Sequence, residues 1–178
     1  MEWLNPYHLQ VASFVLINAI LGVSIYVTLS TGQLSLGNAG FMSVGAYTAA
    51  LLSTQHQVPI PAGILAGSLL AGAAGILVGI PSLRLSGVYL AIATLGFGEV
   101  LRAVLINWES LTGGAVGVAA IPQMGRVILA WARDRGFSPE SLGLQSNQFI
   151  SLTVFLILLL CTILTVAFFL RLSRSRVG

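Results

Sequence analysis

Ser30-Thr31-Gly32-Gln33-Leu34-Ser35-Leu36-Gly37-Asn38-Ala39-Gly40-Phe41-Met42-Ser43-Val44-Gly45-Ala46-Tyr47 lies between two strongly apolar runs, yet it carries four glycines among small polar side chains. Its reading decides the fold. Glycine reaches backbone conformations closed to Leu or Val, and it lets a neighbouring helix approach closely. A bilayer tolerates interrupted backbone only where protein or a water-lined cavity satisfies the freed N–H and C=O groups. The stretch is therefore either a solvent-exposed turn between two helices or a break at membrane depth, of the kind that borders a translocation path.

Composition sets the surroundings. Hydrophobic residues make up 56% of the chain and charged residues 7%, against about 25% charged in a soluble domain. Several apolar runs reach the roughly 20 residues that a bilayer crossing needs. The chain reads as an all-α, polytopic integral membrane protein. Its net charge of +3 comes from arginine alone, because there is no lysine. The arginines cluster after the last apolar run, where anionic lipid headgroups or a cytoplasmic partner account for them and nucleic acid does not. Cys161 is the single cysteine, so an intramolecular disulfide and a cysteine-rich metal site are both excluded.

Working outward from the break, five spans are expected, at residues 11–29, 34–54, 62–80, 88–106 and 150–170. The first ten residues lack the basic region and cleavage site of a signal peptide, so the first apolar run is expected to be retained. Residues 41–52 are too short to cross at 1.5 Å per residue. The second crossing must borrow residues from Leu34 onward, which favours a broken or partly re-entrant element. In the third span, Gly63, Gly67, Ala71, Gly75 and Gly79 recur every four residues and form a slowly winding groove of small side chains. Such a stripe permits close helix packing, either static or sliding.

The fourth span holds Glu99 and Arg102 three residues apart, a spacing that lets them pair on one helix face. Charges at membrane depth face protein or water rather than lipid. The pair is thus a gate, a polar lining, or an ion pair that fixes helix packing. Residues 107–148 form one long extramembrane loop; within it residues 127–133 are expected to make a short helix on the membrane surface. Arg84 and the arginines at 171, 174 and 176 fall on one side of a five-crossing arrangement. Arg126, Arg133 and Arg135 fall in the long loop on the other, where basic residues weigh less. The N-terminus is expected outside and the C-terminus in the cytoplasm.

Catalytic motifs are missing. A P-loop requires G-x-x-x-x-G-K-[ST], which a chain without lysine cannot supply. Residues 33–37 only approach G-x-S-x-G, with glutamine in place of the first glycine. His8 and His56 sit in separate segments and offer no metal-ligand spacing. No cofactor or metal is expected, and no enzyme activity.

The opening run from Gly32 on, extended through Thr48-Ala49, and Arg84-Leu85-Ser86-Gly87-Val88-Tyr89-Leu90-Ala91-Ile92-Ala93-Thr94-Leu95-Gly96-Phe97-Gly98-Glu99 resemble the LivM-type permease subunits of branched-chain amino acid ABC importers. Leu111-Thr112-Gly113-Gly114-Ala115-Val116-Gly117 with Ile121-Pro122 resembles the same family, in the same order. The motifs separate this family less sharply from relatives that carry urea or other small amides. The resemblance implies a multi-pass protein of a bacterial-type inner membrane that forms half of a translocation path. It implies as partners a second homologous permease, two cytoplasmic ATPases, an external solute-binding protein and membrane lipid. Gly32, Gln33, Ser35, Gly37, Asn38 and Tyr47, with Thr94 and Glu99, would border the path. The loop bearing Thr112, Gly113 and Gly114 would face outside. A half-helix N-terminus near Gly37 and Asn38 would aim its N–H groups at the substrate carboxylate. The family pattern continues beyond Gly178 with an ATPase-engaging loop and further spans, so the expectation is an N-terminal portion, truncated or one piece of a split permease. Two further readings are a non-transporting membrane scaffold assembled through the third-span groove, and a small-pore channel, for which no charge ring or carbonyl filter is visible.

Overall fold

The computed structural model describes residues 5–82, 84–135 and 145–173. Among them all regular structure is helical: α1 (Pro6–Ser30), α2 (Asn38–Gln55), α3 (Ile60–Ser82), α4 (Val88–Asn107), the single turn α5 (Glu109–Thr112), a 3-10 turn (Gly114–Val116), α6 (Met124–Asp134) and α7 (Ser146–Ser173). Four of these, α1, α3, α4 and α7, are long and apolar enough to cross a bilayer. At 1.5 Å per residue the 18-residue α2 is about 27 Å long. It is the least apolar of the long helices, and residues 33–37 before it are not helical. The polytopic all-helical class is thus established.

Local chemistry explains where the helices begin and end. Pro6 occupies the first position of α1, where a missing N–H costs nothing. Asn5 caps that end: its Oδ1 accepts the Tyr7 N–H at 3.3 Å. Asn18, the one strongly polar side chain within the first apolar run, donates to the Phe14 carbonyl of its own helix at 2.8 Å. The helix thereby satisfies it without a partner. Gly87, with φ +58° and ψ −127°, admits the chain to α4.

The described helices fall into two compact units. The first comprises residues 25–122. Here α2 packs on both α3 and α4, which touch each other far less. The α2–α3 contact is backbone to backbone: a Cβ on Gly67 would collide with the Gly45 carbonyl oxygen. The α2–α4 contact runs through Gly40, whose Cβ position lies 3.2 Å from the Gly98 Cα, and through the Phe41 and Phe97 rings, 5.1 Å apart. Leu90, Ala91 and Thr94 of α4 are buried.

The second unit comprises residues up to 24 together with those from 123 onward. In it α6 packs on α7. A Cβ on Gly125 would lie 2.6 Å from Ile150 Cγ2, and Leu129 and Ala132 continue the buried face. The Arg133 Nη2 donates to Ser146 Oγ at 3.2 Å, and the Arg135 guanidinium sits 4.0 Å over the Trp131 ring. Residues 124–134 therefore form an amphipathic helix with a basic, aromatic outer face.

Candidate functional site

The break between α1 and α2 is built by satisfying its own ends. The hydroxyls of Thr28, Ser30 and Thr31 donate to the carbonyls of Ile25, Val27 and Thr28, each within 2.8 Å. The Gly32 N–H returns to the Leu29 carbonyl and the Gln33 N–H to that of Thr28. The chain then runs without helix to Gly37. Midway, the Leu36 N–H donates to the Thr94 Oγ1 at 2.9 Å. Thr94 is 4% exposed, and its hydroxyl in turn lies 2.9 Å from the Leu90 carbonyl. One threonine hydroxyl thus ties the break to α4. The Gly37 N–H makes a long 3.5 Å contact with Ser35 Oγ. Two amides at the entrance to α2 are therefore engaged within the protein.

Clefts lie beside this tie and farther along α2. One of about 160 Å³ is bordered by Gln33, Ser35 and Thr94, with Ser82, Phe41 and Gly79. A second, of about 360 Å³, opens between α2 and α4; Ser43, Tyr47, Glu99 and Arg102 border it beside Leu36 and Leu105. Tyr47 also reaches a third cleft of about 240 Å³ with Ala50, Val118 and Ile121. The expected path residues are thus distributed. Gln33, Ser35 and Thr94 share one cleft, and Tyr47 and Glu99 another. Gly37 is buried, and a Cβ there would lie 3.3 Å from the Phe41 ring and 3.4 Å from the Thr94 Cβ. Nothing lies within 4 Å of a Cβ on Gly32. Asn38 opens α2.

Glu99 and Arg102 meet at 3.5 Å between Oε2 and Nη1, with side chains 67% and 71% exposed. Apart from Arg171 in the last turn of α7, they are the only arginine or acidic residues within the four apolar helices. Among the described residues, no group of three or more His, Cys, Asp or Glu is placed to hold a metal ion.

The small-residue stripe of α3 divides. A Cβ on Gly63 would lie 3.1 Å from Ser53 Oγ and 3.3 Å from the Ala49 carbonyl, and Gly67 abuts Gly45. Ala71 Cβ lies 3.7 Å from where a Gly45 Cβ would stand. Beyond it, Gly75 meets only the Phe41 ring, at 3.9 Å, and Gly79 meets nothing within 4 Å. Sequence reasoning missed the matching stripe on α2, Gly45, Ala49 and Ser53, although its four-residue spacing is the same signal. The same chain fills half of the groove that a scaffold would need for assembly.

The Thr112-Gly113-Gly114 corner is a compact cap on α4. Thr112 is 1% exposed; its Oγ1 donates to the Leu105 carbonyl at 2.6 Å and accepts the Gly114 N–H at 3.3 Å. Gly113 has φ +74°, and a Cβ there would strike the Gly117 carbonyl oxygen. Only glycine fits.

A family model described as the permease component of the branched-chain amino acid transport system matches residues 7–178. Among curated proteins, the high-affinity branched-chain amino acid transport system permease protein LivM of Escherichia coli K12 is 38% identical over 178 residues, 95% of this chain and 41% of that protein. Its counterpart in Salmonella typhimurium LT2 is 43% identical over 115 residues, 64% of this chain and 27% of that protein. The chain thus spans less than half the length of the relatives it matches. No solved structure gives a significant match.

Proposed function

The chain belongs to the family of permease components of branched-chain amino acid transport systems, and on that premise we propose that it forms part of the membrane path of an ABC importer for hydrophobic amino acids. In this reading it works with a second homologous permease, with two cytoplasmic ATPase subunits that hydrolyse ATP, and with an external solute-binding protein that delivers substrate. The N-terminus and the segment after α4 face outside, and the C-terminus faces the cytoplasm.

The observation that carries the proposal is the Thr94-tied break. Residues 33–37 interrupt the helices beside clefts bordered by hydroxyl, amide and charged side chains, in a unit otherwise made of apolar helices. Non-helical backbone at membrane depth is stable where it borders a cavity. The experiment is uptake of labelled leucine by cells that carry the chain with its partner subunits. Gly37→Val adds a branched side chain whose Cβ alone would lie 3.3 Å from the Phe41 ring and 3.4 Å from the Thr94 Cβ, and is expected to reduce uptake sharply, as is Asn38→Leu. Unchanged uptake at normal membrane levels for both variants would refute the role of the break. Uptake of urea or a short amide in place of leucine would move the assignment to a neighbouring branch of the family.

A further inference from the structure

The second cleft holds the only opposed pair of charges within the apolar helices, and the proposed function leaves that pair without a task. Glu99 and Arg102 stand one turn apart on α4, on the wall facing Ser43 and Tyr47 of α2. Their 3.5 Å contact is a single point, longer than the roughly 2.7–2.9 Å of a strong charge-assisted bond and not a two-point fork. With side chains 67% and 71% exposed, both groups line the cleft while keeping most of their surface open to a ligand. Around them the wall is apolar, with Leu36, Leu95 and Ile106. At about 360 Å³ the cleft falls within the range of about 300–1,000 Å³ of small-molecule sites.

We propose that Glu99 and Arg102 form a subsite for the zwitterionic head of a free amino acid, Glu99 receiving the ammonium group and Arg102 the carboxylate, with the apolar wall taking the side chain. The proposal deepens the permease reading and rests on it for the substrate class. A free amino acid carries its two charges on either side of one carbon atom, so both can be met by a neighbouring pair of opposite sign. Because ligand and pair are each neutral overall, the four charges together remain neutral. A substrate lacking either group would leave an unmatched charge in a region where that is costly. A planar guanidinium suits a carboxylate. This assigns the carboxylate to α4 rather than to the amides of residues 36 and 37, which Thr94 and Ser35 hold. A subsite that must also release its ligand needs contacts of moderate strength, and a loosely paired, open Glu–Arg couple supplies them.

The test is thiol protection in the assembled transporter. Cys161 is replaced by Ser, and the near-isosteric Ser43→Cys places a thiol on the cleft wall. Leucine is expected to slow its labelling by a water-soluble thiol reagent, whereas leucinamide, without the carboxylate, and 4-methylpentanoate, without the ammonium group, leave labelling unchanged. Adding E99Q or R102Q should weaken leucine protection by about tenfold or more, the scale of a lost charged hydrogen bond. R102K, which keeps a positive point charge, should restore part of it. Equal protection by leucine and both analogues, or no protection by any of them, would overturn the subsite, and that result needs no variant of the charged pair to fold. Leucine uptake is measured in parallel. Uptake without protection would sink the subsite and leave the permease reading standing. Protection without uptake would sustain the subsite and count against the assignment as a leucine importer.

Discussion

Gly67→Ala, set against Gly79→Ala, isolates the energetics of the α2–α3 contact. Both positions lie on the same four-residue stripe and carry the same chemical change. At Gly67 the new methyl group would land on the Gly45 carbonyl oxygen, with the Ala49 nitrogen only 3.5 Å away. Backbone cannot swing aside as a long side chain can, so the two helices must part. Overpacking of this kind costs about 1–3 kcal/mol, and replacing glycine within a helix returns up to about 1 kcal/mol. With that full return the net for Gly67→Ala is a loss of up to about 2 kcal/mol. At Gly79 nothing lies within 4 Å, so only the helix term remains and stability holds or rises. The two variants should therefore differ by about 2 kcal/mol, close to thirtyfold in the unfolding equilibrium. Reversible unfolding in mixed micelles of rising SDS fraction, followed by circular dichroism, measures the gap. A Gly67→Ala protein as stable as the Gly79→Ala protein would refute the backbone-to-backbone contact.

Two further outcomes are expected. Thr94→Val keeps the shape of the side chain but leaves the Leu36 N–H without its 2.9 Å acceptor; a fully buried donor left unpaired costs about 1–3 kcal/mol, and this part-buried one costs less. Faster hydrogen exchange at the amide of residue 36, restored by Thr94→Ser, is the signature, and unaltered exchange counts against the tie. Gly113→Ala introduces a Cβ at φ +74° against the Gly117 carbonyl; strain of about 1–3 kcal/mol should expose the Thr112 hydroxyl network and open the segment after α4 to limited proteolysis. Resistance equal to that of the unmodified chain would show that the corner relaxes without cost.

Much of the architecture is legible because lipid imposes simple rules. Apolar runs of adequate length become α1, α3, α4 and α7, and the Gly-polar run yields a break over residues 33–37, whose residues favour neither helix nor a dry interior, while its part from Asn38 onward opens α2. What the linear pattern hides is pairing. The stripe at Gly63 and Gly67 announces close packing but not with whom, and only three-dimensional placement identifies Gly45, Ala49 and Ser53 of α2 as the complement. Thr94 is one residue of a motif in the sequence, and its hydroxyl becomes an anchor once Leu36 is brought 2.9 Å from it. The path residues also divide between clefts, with Gln33 and Ser35 apart from Tyr47 and Glu99. Spacing along a chain cannot report that, because the separation depends on how α2 is rotated against α4. The pairing of Gly125 with Ile150 escaped for a similar reason: a single glycine carries no periodicity.

That last contact has a bearing on depth. Between Gln148 and Arg171 of α7 lie 22 residues without a charge, about 33 Å of helix, close to the hydrocarbon thickness of about 30 Å. In the proposed permease reading, the polar groups at both limits set α7 in axial register with the two headgroup layers. On the same reading Ile150 sits just inside one of them, and α6, packed on α7 through Gly125, is expected at that level rather than above the membrane. Trp131 and the arginines of its outer face would then lie where the acyl chains give way to headgroups, the region that tryptophan and arginine favour. On that reading the long helix acts as a plumb line for the height of its short companion.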